Sequence, residues 1–256
     1  MATATTIEWT EETWNPITGC SKVSAGCTHC YAESMARRLK AMGAPGYDNG
    51  FELTLLPERL EQPLRKKKPT RFFVNSMSDL FHEDVPDSFI DQVFDVMRRT
   101  PQHTYQILTK RAYRLPEYFG DNVLPENVWL GVTVEDRTSG IPRIDHLRKV
   151  KATIRFLSVE PLLQDLGKLD LTGVHWVIVG GESGPNARPM NQEWVLPIKE
   201  QCEKSGSAFF FKQWGTWGMD KVKRNKKANG RMLLGRTWTE YPDLSSNQLN
   251  KRVKSA

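Results

Sequence analysis

The sequence has few cysteines and no long hydrophobic run, with four cysteines among its 256 residues. No window approaches the roughly 18 apolar residues that a membrane-spanning helix needs, so a membrane protein is not expected. The polar N-terminus lacks the basic flank and apolar stretch of a signal peptide, which predicts a cytoplasmic protein. Because cytoplasmic thiols stay reduced, we do not expect disulfide bonds to hold the fold together.

Charge is the second feature of the composition. The formal net charge is +6, and the basic residues are concentrated in three runs, at 65–68, 221–227 and 251–254. Such runs attract polyanions, which favours a nucleic-acid partner. Solvated loops and a frayed tail account for the same runs equally well, so both interpretations stay open.

Six short apolar runs, rich in β-branched and aromatic residues, predict buried strands. Amphipathic stretches separate them, and this alternation predicts a single α/β domain, a parallel β/α barrel of six or seven units, partial or closed like a TIM barrel. We place the barrel domain at residues 1–218 and a basic, partly disordered extension at 219–256. The predicted strands are Arg71–Asn75, Thr104–Leu108, Val128–Val134, Thr153–Val159, His175–Gly180 and Ala208–Phe211.

Two amphipathic stretches carry helix signals. Residues 88–99 present an apolar face, with Asp87 or Ser88 as the predicted cap. Residues 191–204 repeat the pattern, with Asn191 as the predicted cap and Gly206 just past the end. Pro197 lies inside this second helix and predicts a kink or a later start.

Polar or charged residues follow each of the six predicted strands. Parallel strands end at one edge of a sheet, and barrel enzymes place their active sites at that edge. Helix caps explain one or two such groups, but caps favour Ser, Thr, Asp and Asn over Lys, Arg and Glu. The groups are 75–79, 109–111, 135–136, 160–161, 181–184 and 212–215.

Three cysteines lie within eleven residues, in the spacing Cys20-x6-Cys27-x2-Cys30. A tight trio in a reduced compartment favours a metal site. If a helix begins at Cys30, its dipole lowers the pKa of thiols at that end. Three thiolates on a four-iron cluster leave one iron free for S-adenosylmethionine (SAM), whose reductive cleavage releases a 5′-deoxyadenosyl radical. We therefore expect Cys20, Cys27 and Cys30 to hold a [4Fe-4S] cluster.

Other interpretations of the trio stay open. A zinc site would take its fourth ligand from His29 or Cys202, but His29 adjoins Cys30 and no second C-x2-C pair exists. A nucleophilic cysteine with a histidine would leave the rest of the trio unexplained. We expect Cys202 to be buried packing in the last helix. We expect His29 to lie near the metal or face solvent.

This arrangement resembles the radical SAM superfamily, in which a cysteine trio precedes the first helix of a β/α barrel. The stretch from Trp14 to Gly215 also resembles an uncharacterised family found in phages and mobile elements. In addition, the Thr-Lys pair of ILTKR is similar to a pair in the spore photoproduct lyase group. The family phrases are TWNPITGC, GCTHCYAE, FFVNSMSDLFH, ILTKR, LGVTVE, FLSVEPLL, IVGGESG and FFFKQWG.

The resemblance implies which strand-end residues bind SAM and the substrate. It also implies an electron donor such as flavodoxin or ferredoxin, and a partner encoded by a neighbouring gene. The implied residues are Ser76, Ser78 and Asp79 for the SAM amino group, Lys110 for its carboxylate, Thr133 and Glu135 for its ribose, and Glu160, Gly180, Gly181 and Glu182 for adenine or substrate.

Two features depart from the superfamily pattern. The first two cysteines are separated by six residues instead of three, and the Gly180-Gly181-Glu182 sequence comes near the end instead of after the second strand. The leading hypothesis is a radical SAM enzyme that modifies or repairs a nucleic-acid base. The alternatives are a non-catalytic, metal-containing nucleic-acid-binding protein and a cluster enzyme for a small metabolite or peptide. Near the barrel mouth, Trp214 and Trp217 either stack on a base or pack, and Lys212 is a candidate phosphate contact.

Overall fold

One curved sheet forms the centre of the computed structural model, which describes residues 3–243. Seven of its eight strands are parallel, and the first strand of the chain is antiparallel to the second. The sheet order is β1-β2-β5-β6-β7-β8-β9-β10, and two small antiparallel pairs, β3-β4 and β11-β12, lie outside it. The strands are β1 (Thr3–Ala4), β2 (Glu12–Trp14), β3 (Ile17–Thr18), β4 (Thr54–Leu55), β5 (Arg71–Val74), β6 (Thr104–Thr109), β7 (Val128–Thr133), β8 (Ile154–Val159), β9 (Trp176–Gly180), β10 (Ala208–Gln213), β11 (Met232–Leu233) and β12 (Arg236–Thr237).

Helices connect most of the parallel strands, as parallel pairing requires. The resulting architecture is a partial parallel β/α barrel, which confirms the predicted fold class. The helices are α1 (Tyr31–Ala41), α2 (Asp87–Arg99), α3 (Arg114–Phe119), α4 (Ile141–Arg148), α5 (Gln192–Ser205) and α6 (Lys226–Asn229).

All six predicted strands are present, with bounds that differ by at most two residues at either end. The predicted helix caps and starts agree less well with the structure than the predicted strands do. Pro86 precedes α2 as its cap, so the expectation of Asp87 or Ser88 was wrong; the carbonyl of Pro86 accepts from the amides of Phe89 and Ile90. A proline is accommodated at the start of a helix, where an amide hydrogen has no intrahelical acceptor.

Helix α5 matches its predicted ends. Asn191 occupies the cap position, although its side chain makes no capping hydrogen bond, and Gly206 is left-handed with φ of 72°. The helix begins at Gln192 in spite of Pro197, so the later start was wrong.

The two faces of the sheet pack against different partners. On the outer face, alternate strand residues such as Val177 and Leu157 join the helices in the larger hydrophobic core. On the inner face, a second core fills the concavity near the amino ends of the strands. Its members are Trp9, Phe73, Trp129, Ile154, Phe156, Trp176, Ile178 and Phe210.

The extension after residue 218 returns to the barrel. Trp238 is buried, and the Tyr241 ring lies 5.0 Å from the ring of Trp176, so both side chains pack against the barrel. The basic run at 251–254 and the last dozen residues, which are predicted to be disordered, lie outside the described residues. The boundary at residue 218 stays a prediction. Over the range 3–243, no helix combines the length and apolar character needed to cross a bilayer.

Candidate metal centre on the carboxyl edge of the sheet

The cysteine-bearing segment begins close to the end of β5. The Gly19 amide donates to the Met77 carbonyl at 3.0 Å, and the Cys20 amide donates to the Phe51 carbonyl at 3.1 Å. Gly19 has φ of +79°, and a Cβ there would lie 2.0 Å from the Glu52 carbonyl oxygen. Only glycine fits this close approach. We call residues 19–30 the cysteine loop.

The first anchor of the cysteine loop is Arg111, which follows β6. Its guanidinium donates to the Ser21 hydroxyl at 2.7 Å, to the Ser21 carbonyl at 3.2 Å and to the Cys20 sulfur at 3.4 Å. The same group is paired with Asp79 and Glu83. Burial opposes the charge of Arg111, but these carboxylates outweigh it and hold its pKa above the ordinary value.

His82 supports the same part of the loop. Its Nδ1 accepts from the Asp84 amide at 3.2 Å, so Nε2 carries the hydrogen and faces the Ser21 hydroxyl at 2.9 Å. Burial and the nearby Arg111 charge lower the pKa of His82 below 6.5. A neutral imidazole suits this position, because a second cation would repel Arg111.

The second anchor is Glu135, which follows β7. Its carboxylate is fully buried and accepts from Arg143 of α4 at 2.6 Å. The other oxygen accepts from the Ser24 hydroxyl in the cysteine loop. A Cβ on Gly26 would lie 3.0 Å from this side chain, so the loop backbone passes close to it.

The third anchor is Arg188, held by Glu182 after β9. Arg188 donates from its backbone amide and its guanidinium to the Glu182 carboxylate, with distances from 2.5 to 2.8 Å. The guanidinium also donates to the Ala25 carbonyl in the cysteine loop at 2.9 Å. Burial opposes ionisation of Glu182, but these hydrogen bonds hold its pKa below the usual value.

The three cysteines of the loop are partly exposed, whereas Cys202 is buried as expected. Cys27 ends a short 3₁₀ turn, and Cys30 caps α1 without a side-chain hydrogen bond. Burial, reinforced by Asp79, raises the pKa of the Cys20 thiol to about 11. Within residues 3–243, no three His, Cys, Asp or Glu side chains are arranged to hold a metal ion.

The polar residues that follow β5 are engaged with the protein. The Asp79 carboxylate accepts from the Thr109 hydroxyl at 2.7 Å and from the Lys110 amide at 3.0 Å, besides its pair with Arg111. The Ser78 hydroxyl donates to the Gly19 carbonyl, and the Ser76 hydroxyl donates to Asn15. Asp79 is buried, while both serines remain partly exposed.

Other predicted residues line the inner face near the carboxyl ends of the strands. Lys110 reaches the Thr133 hydroxyl at 3.3 Å. Glu160 and Lys212 form an ion pair at 3.1 Å across β9. A Cβ on Gly180 would lie 2.3 Å from a Glu160 carboxylate oxygen, so the glycine leaves room for that side chain.

Gly181 and the tryptophans serve packing. A Cβ on Gly181 would lie 2.0 Å from the Trp214 carbonyl oxygen, which explains the glycine. Trp214 is buried and donates to the Met232 carbonyl at 2.9 Å, confirming the packing interpretation. Trp217 donates to the Ala187 carbonyl at 2.6 Å. Lys212, a candidate phosphate contact, forms an ion pair with Glu160, and its contact with phosphate stays a prediction.

The two described basic runs lie at opposite edges of the sheet. Residues 65–68 precede β5, and the Lys66 carbonyl accepts from His103 at the amino edge. Residues 221–227 adjoin the loop after β9, where the Lys223 ammonium donates to the Pro185 carbonyl at 2.5 Å and the Arg224 amide donates to the Thr216 carbonyl. Only the second run lies on the edge that carries the cysteine loop.

Sequence reasoning missed the cations that hold the cysteine loop. Arg111 was noticed only as part of a polar strand end, and Arg143 and Arg188 were not singled out. Their carboxylate partners are Asp79, Glu135 and Glu182, which the sequence analysis predicts to bind SAM or substrate. Buried Asp79, Glu135 and Glu182 need partner cations. For Glu135 and Glu182 the available signal was an arginine a few residues later in the sequence, Arg143 and Arg188; Asp79 has no such neighbour, because Arg111 lies beyond the next strand.

Comparisons with known proteins give a family and a fold. A family model described as "Protein of unknown function (DUF5131)" matches residues 4–242. Among curated proteins, none matches the sequence significantly. A solved structure of a cysteine-to-serine mutant of spore photoproduct lyase is 14% identical to this chain, with a TM-score of 0.50. The match covers 100% of this chain and 75% of that chain. A doubly substituted form with bound AdoMet and dinucleoside spore photoproduct is 13% identical with a TM-score of 0.48, at the same coverage. At this identity the likeness shows the fold alone.

Proposed function

We infer that this chain, which belongs to the DUF5131 family, is a radical SAM-type iron–sulfur enzyme that modifies or repairs a nucleic-acid base. One observation carries the proposal. Arg111, Glu135 and Arg188 fix the cysteine loop to the carboxyl edge of a partial β/α barrel. Burying or half-burying three charged side chains costs desolvation free energy. Such a cost is expected where a loop must be held in one position, as at a functional site.

The donor set fits a cluster. Cys20, Cys27 and Cys30 are partly exposed thiols on a polar loop, which is not how cysteines pack in a core. A cubane cluster binds each thiolate through a different iron, so the three sulfurs do not need to converge on one point as they would around a lone ion. In the proposal these three cysteines hold the cluster, and the remaining iron is left for SAM.

Bound SAM and cluster would supply a 5′-deoxyadenosyl radical by reductive cleavage of the SAM carbon–sulfur bond. The chain's own residues divide into two groups around this chemistry. Lys110, Thr133, Ser76 and Glu160 have polar atoms at the inner carboxyl edge and are proposed to contact SAM or the substrate. Asp79, Glu135 and Glu182 are proposed to hold the loop, because their carboxylates are already engaged.

The position of the second basic run supports a nucleic-acid substrate. Residues 221–227 adjoin the loop after β9, and that loop contacts the cysteine loop through Arg188. Lys221 and Lys227 are exposed on this segment. Exposed cations beside the barrel mouth are suited to phosphate groups of a strand whose base enters the barrel. A cytoplasmic location, a flavodoxin or ferredoxin donor, a neighbouring-gene partner and an association with phages stay predictions.

The test is anaerobic reconstitution with iron and sulfide, followed by measurement of metal content and SAM cleavage. We expect about four iron and four sulfide per chain, in keeping with the three-thiolate cluster, and release of 5′-deoxyadenosine. Cys20→Ala, Cys27→Ala and Cys30→Ala should each abolish cleavage, whereas Cys202→Ala should retain it. A colourless chain holding one zinc, or undiminished cleavage by any of the three variants, would refute the assignment.

Nucleic-acid binding is tested separately. Single-stranded DNA or RNA should bind the wild-type chain at low salt, and the affinity should fall steeply as salt rises. Lys221→Gln combined with Lys227→Gln should weaken binding and reduce the salt dependence. The matched control is Lys67→Gln with Lys68→Gln, at the opposite edge of the sheet. Equal losses in both pairs would contradict a substrate path over the carboxyl edge.

A further inference from the structure

Arg111 is the most deeply buried arginine of the described chain, with 1% of its surface exposed. Its donors are distributed over the start of the cysteine loop and the segment after β5. They reach the Cys20 sulfur, both oxygens of Ser21, Asp79 and Glu83. An arginine is always charged and offers a rigid planar fork, so this set of contacts defines one orientation of the group.

Among the three clustered cysteines, Arg111 donates to Cys20 only. Between residues 3 and 243, no cationic side chain donates to the sulfur of Cys27 or Cys30, and the Ser24 hydroxyl lies 3.9 Å from the Cys27 sulfur. Asp79 is buried, whereas Glu83 has 47% of its side chain exposed. Asp79 therefore offsets the positive charge of Arg111 more strongly than Glu83 does, because solvent screens the charge of Glu83.

We propose that Arg111 is a positioning residue for the metal centre: it orients the Cys20 sulfur and, through a charged N–H···S hydrogen bond, raises the reduction potential of the bound cluster. The inference rests on the proposed function, since it requires a cluster on Cys20. Hydrogen bonds to ligand sulfurs and nearby charge are among the main controls of cluster potential. A cation beside one sulfur stabilises the additional negative charge of the reduced state.

The first measurement is the reduction potential of the reconstituted protein. In Arg111→Met the ratio of reduced to oxidised cluster at a fixed potential should fall about tenfold, which is about 59 mV for one electron. Arg111→Lys keeps the charge without the fork and should give a smaller fall. The matched control is Arg114→Met, because Arg114 contacts the His82 and Val85 carbonyls but no cysteine. Its potential should equal that of the wild type.

A second variant keeps the proposal testable if Arg111→Met does not fold. Glu83→Gln removes an exposed carboxylate that offsets Arg111, so the potential should rise. Asp84→Asn is its control, since Asp84 is also exposed and contacts His82 instead of Arg111. Opposite shifts at Arg111 and Glu83 are not expected from a purely structural role. Unchanged potentials in Arg111→Lys and Glu83→Gln would overturn the proposal.

Hydrogen exchange, measured before iron and sulfide are added, separates the ordering of the cysteine loop by Arg111 from its effect on the cluster potential. Arg111→Lys should speed exchange of backbone amides at 20–24 and leave those of α5 unchanged. If the wild type never binds iron and sulfide, the proposed function and the effect on potential both fail, although the exchange result still shows whether Arg111 orders the loop. If the cluster forms normally and only the potentials stay unchanged, the inference alone fails.

Discussion

The two ends of the inner face of the barrel differ in how they are held together. At the amino end, aromatic rings fill the concavity, with Trp176 in contact with the rings of Trp9, Trp129, Phe210 and Tyr241. At the carboxyl end, ion pairs and hydrogen bonds connect strand ends to the cysteine loop. The apolar end is close-packed and provides stability, whereas the polar end fixes positions at a cost in desolvation.

This division separates the apolar, stabilising half of the strands from the half that carries the proposed metal site. Along β8, inward-facing residues change from Ile154 and Phe156 to Ser158, and Glu160 follows the strand. Variants at the amino end should therefore change stability without changing the proposed metal site. Variants at the carboxyl end should change the proposed site, and stability only where a buried charge loses its partner.

The largest effect is expected at the amino end. Trp176→Ala should lower the free energy of unfolding by about 4 kcal/mol, because it removes a fully buried ring from the second core. Denaturant unfolding measures this loss. The reduction potential of the reconstituted protein should stay at the wild-type value. A shifted potential would show that the two ends are not independent.

Arg143 is the next test, on the carboxyl side. Arg143→Met should cost about 3 kcal/mol, because it leaves the fully buried Glu135 carboxylate without its partner. Adding Glu135→Gln should recover most of the loss, since a neutral amide still accepts from Ser24. Urea unfolding of the single and double variants forms the comparison. A double variant as unstable as the single one would contradict this account.

Lys110 separates binding from stability. Lys110→Met should weaken SAM binding to the reconstituted protein about tenfold, or about 1.4 kcal/mol, with little change in unfolding, because its only described partner is the Thr133 hydroxyl. Equilibrium dialysis with labelled SAM measures the affinity. Lys40→Met, on the exposed surface of α1, is the control. Equal affinities for the two variants would contradict the proposed contact between Lys110 and SAM.

The smallest effect concerns pH. Because the pKa of folded His82 lies below 6.5, the unfolded chain takes up the proton first as pH falls. This contribution is absent above pH 6.5 and destabilises the fold increasingly below it, until the folded histidine is protonated too. His82→Gln should flatten this part of the stability profile, and a variant profile as steep as that of the wild type would contradict this account. Thermal unfolding from pH 7.5 to 5.5 tests the difference.

Local patterns predicted the strands well because each is buried on both faces. Runs such as VWLGVTV and HWVIVG are too continuous for half-exposed strands. In the barrel they are buried by helices on the outer face and by the second core on the inner face. The cap of α2 was misread because Asp87 and Ser88 are common caps, yet the helix starts one residue earlier behind Pro86. Which of several neighbouring residues becomes the cap depends on the backbone geometry at that point, and the residue types alone do not determine it.

The sequence by itself determined the strand–helix alternation, the edge at which polar groups collect, and the three-cysteine loop, because each depends on residues close together in the chain. Only the tertiary structure decided what the charged residues at that edge do. Asp79, Glu135 and Glu182 meet Arg111, Arg143 and Arg188, and Arg111 reaches back 91 residues to Cys20. The contacts that Arg111, Glu135 and Arg188 make with the cysteine loop depend on how distant parts of the chain align in the sheet, and no local pattern encodes the distance between two strand ends.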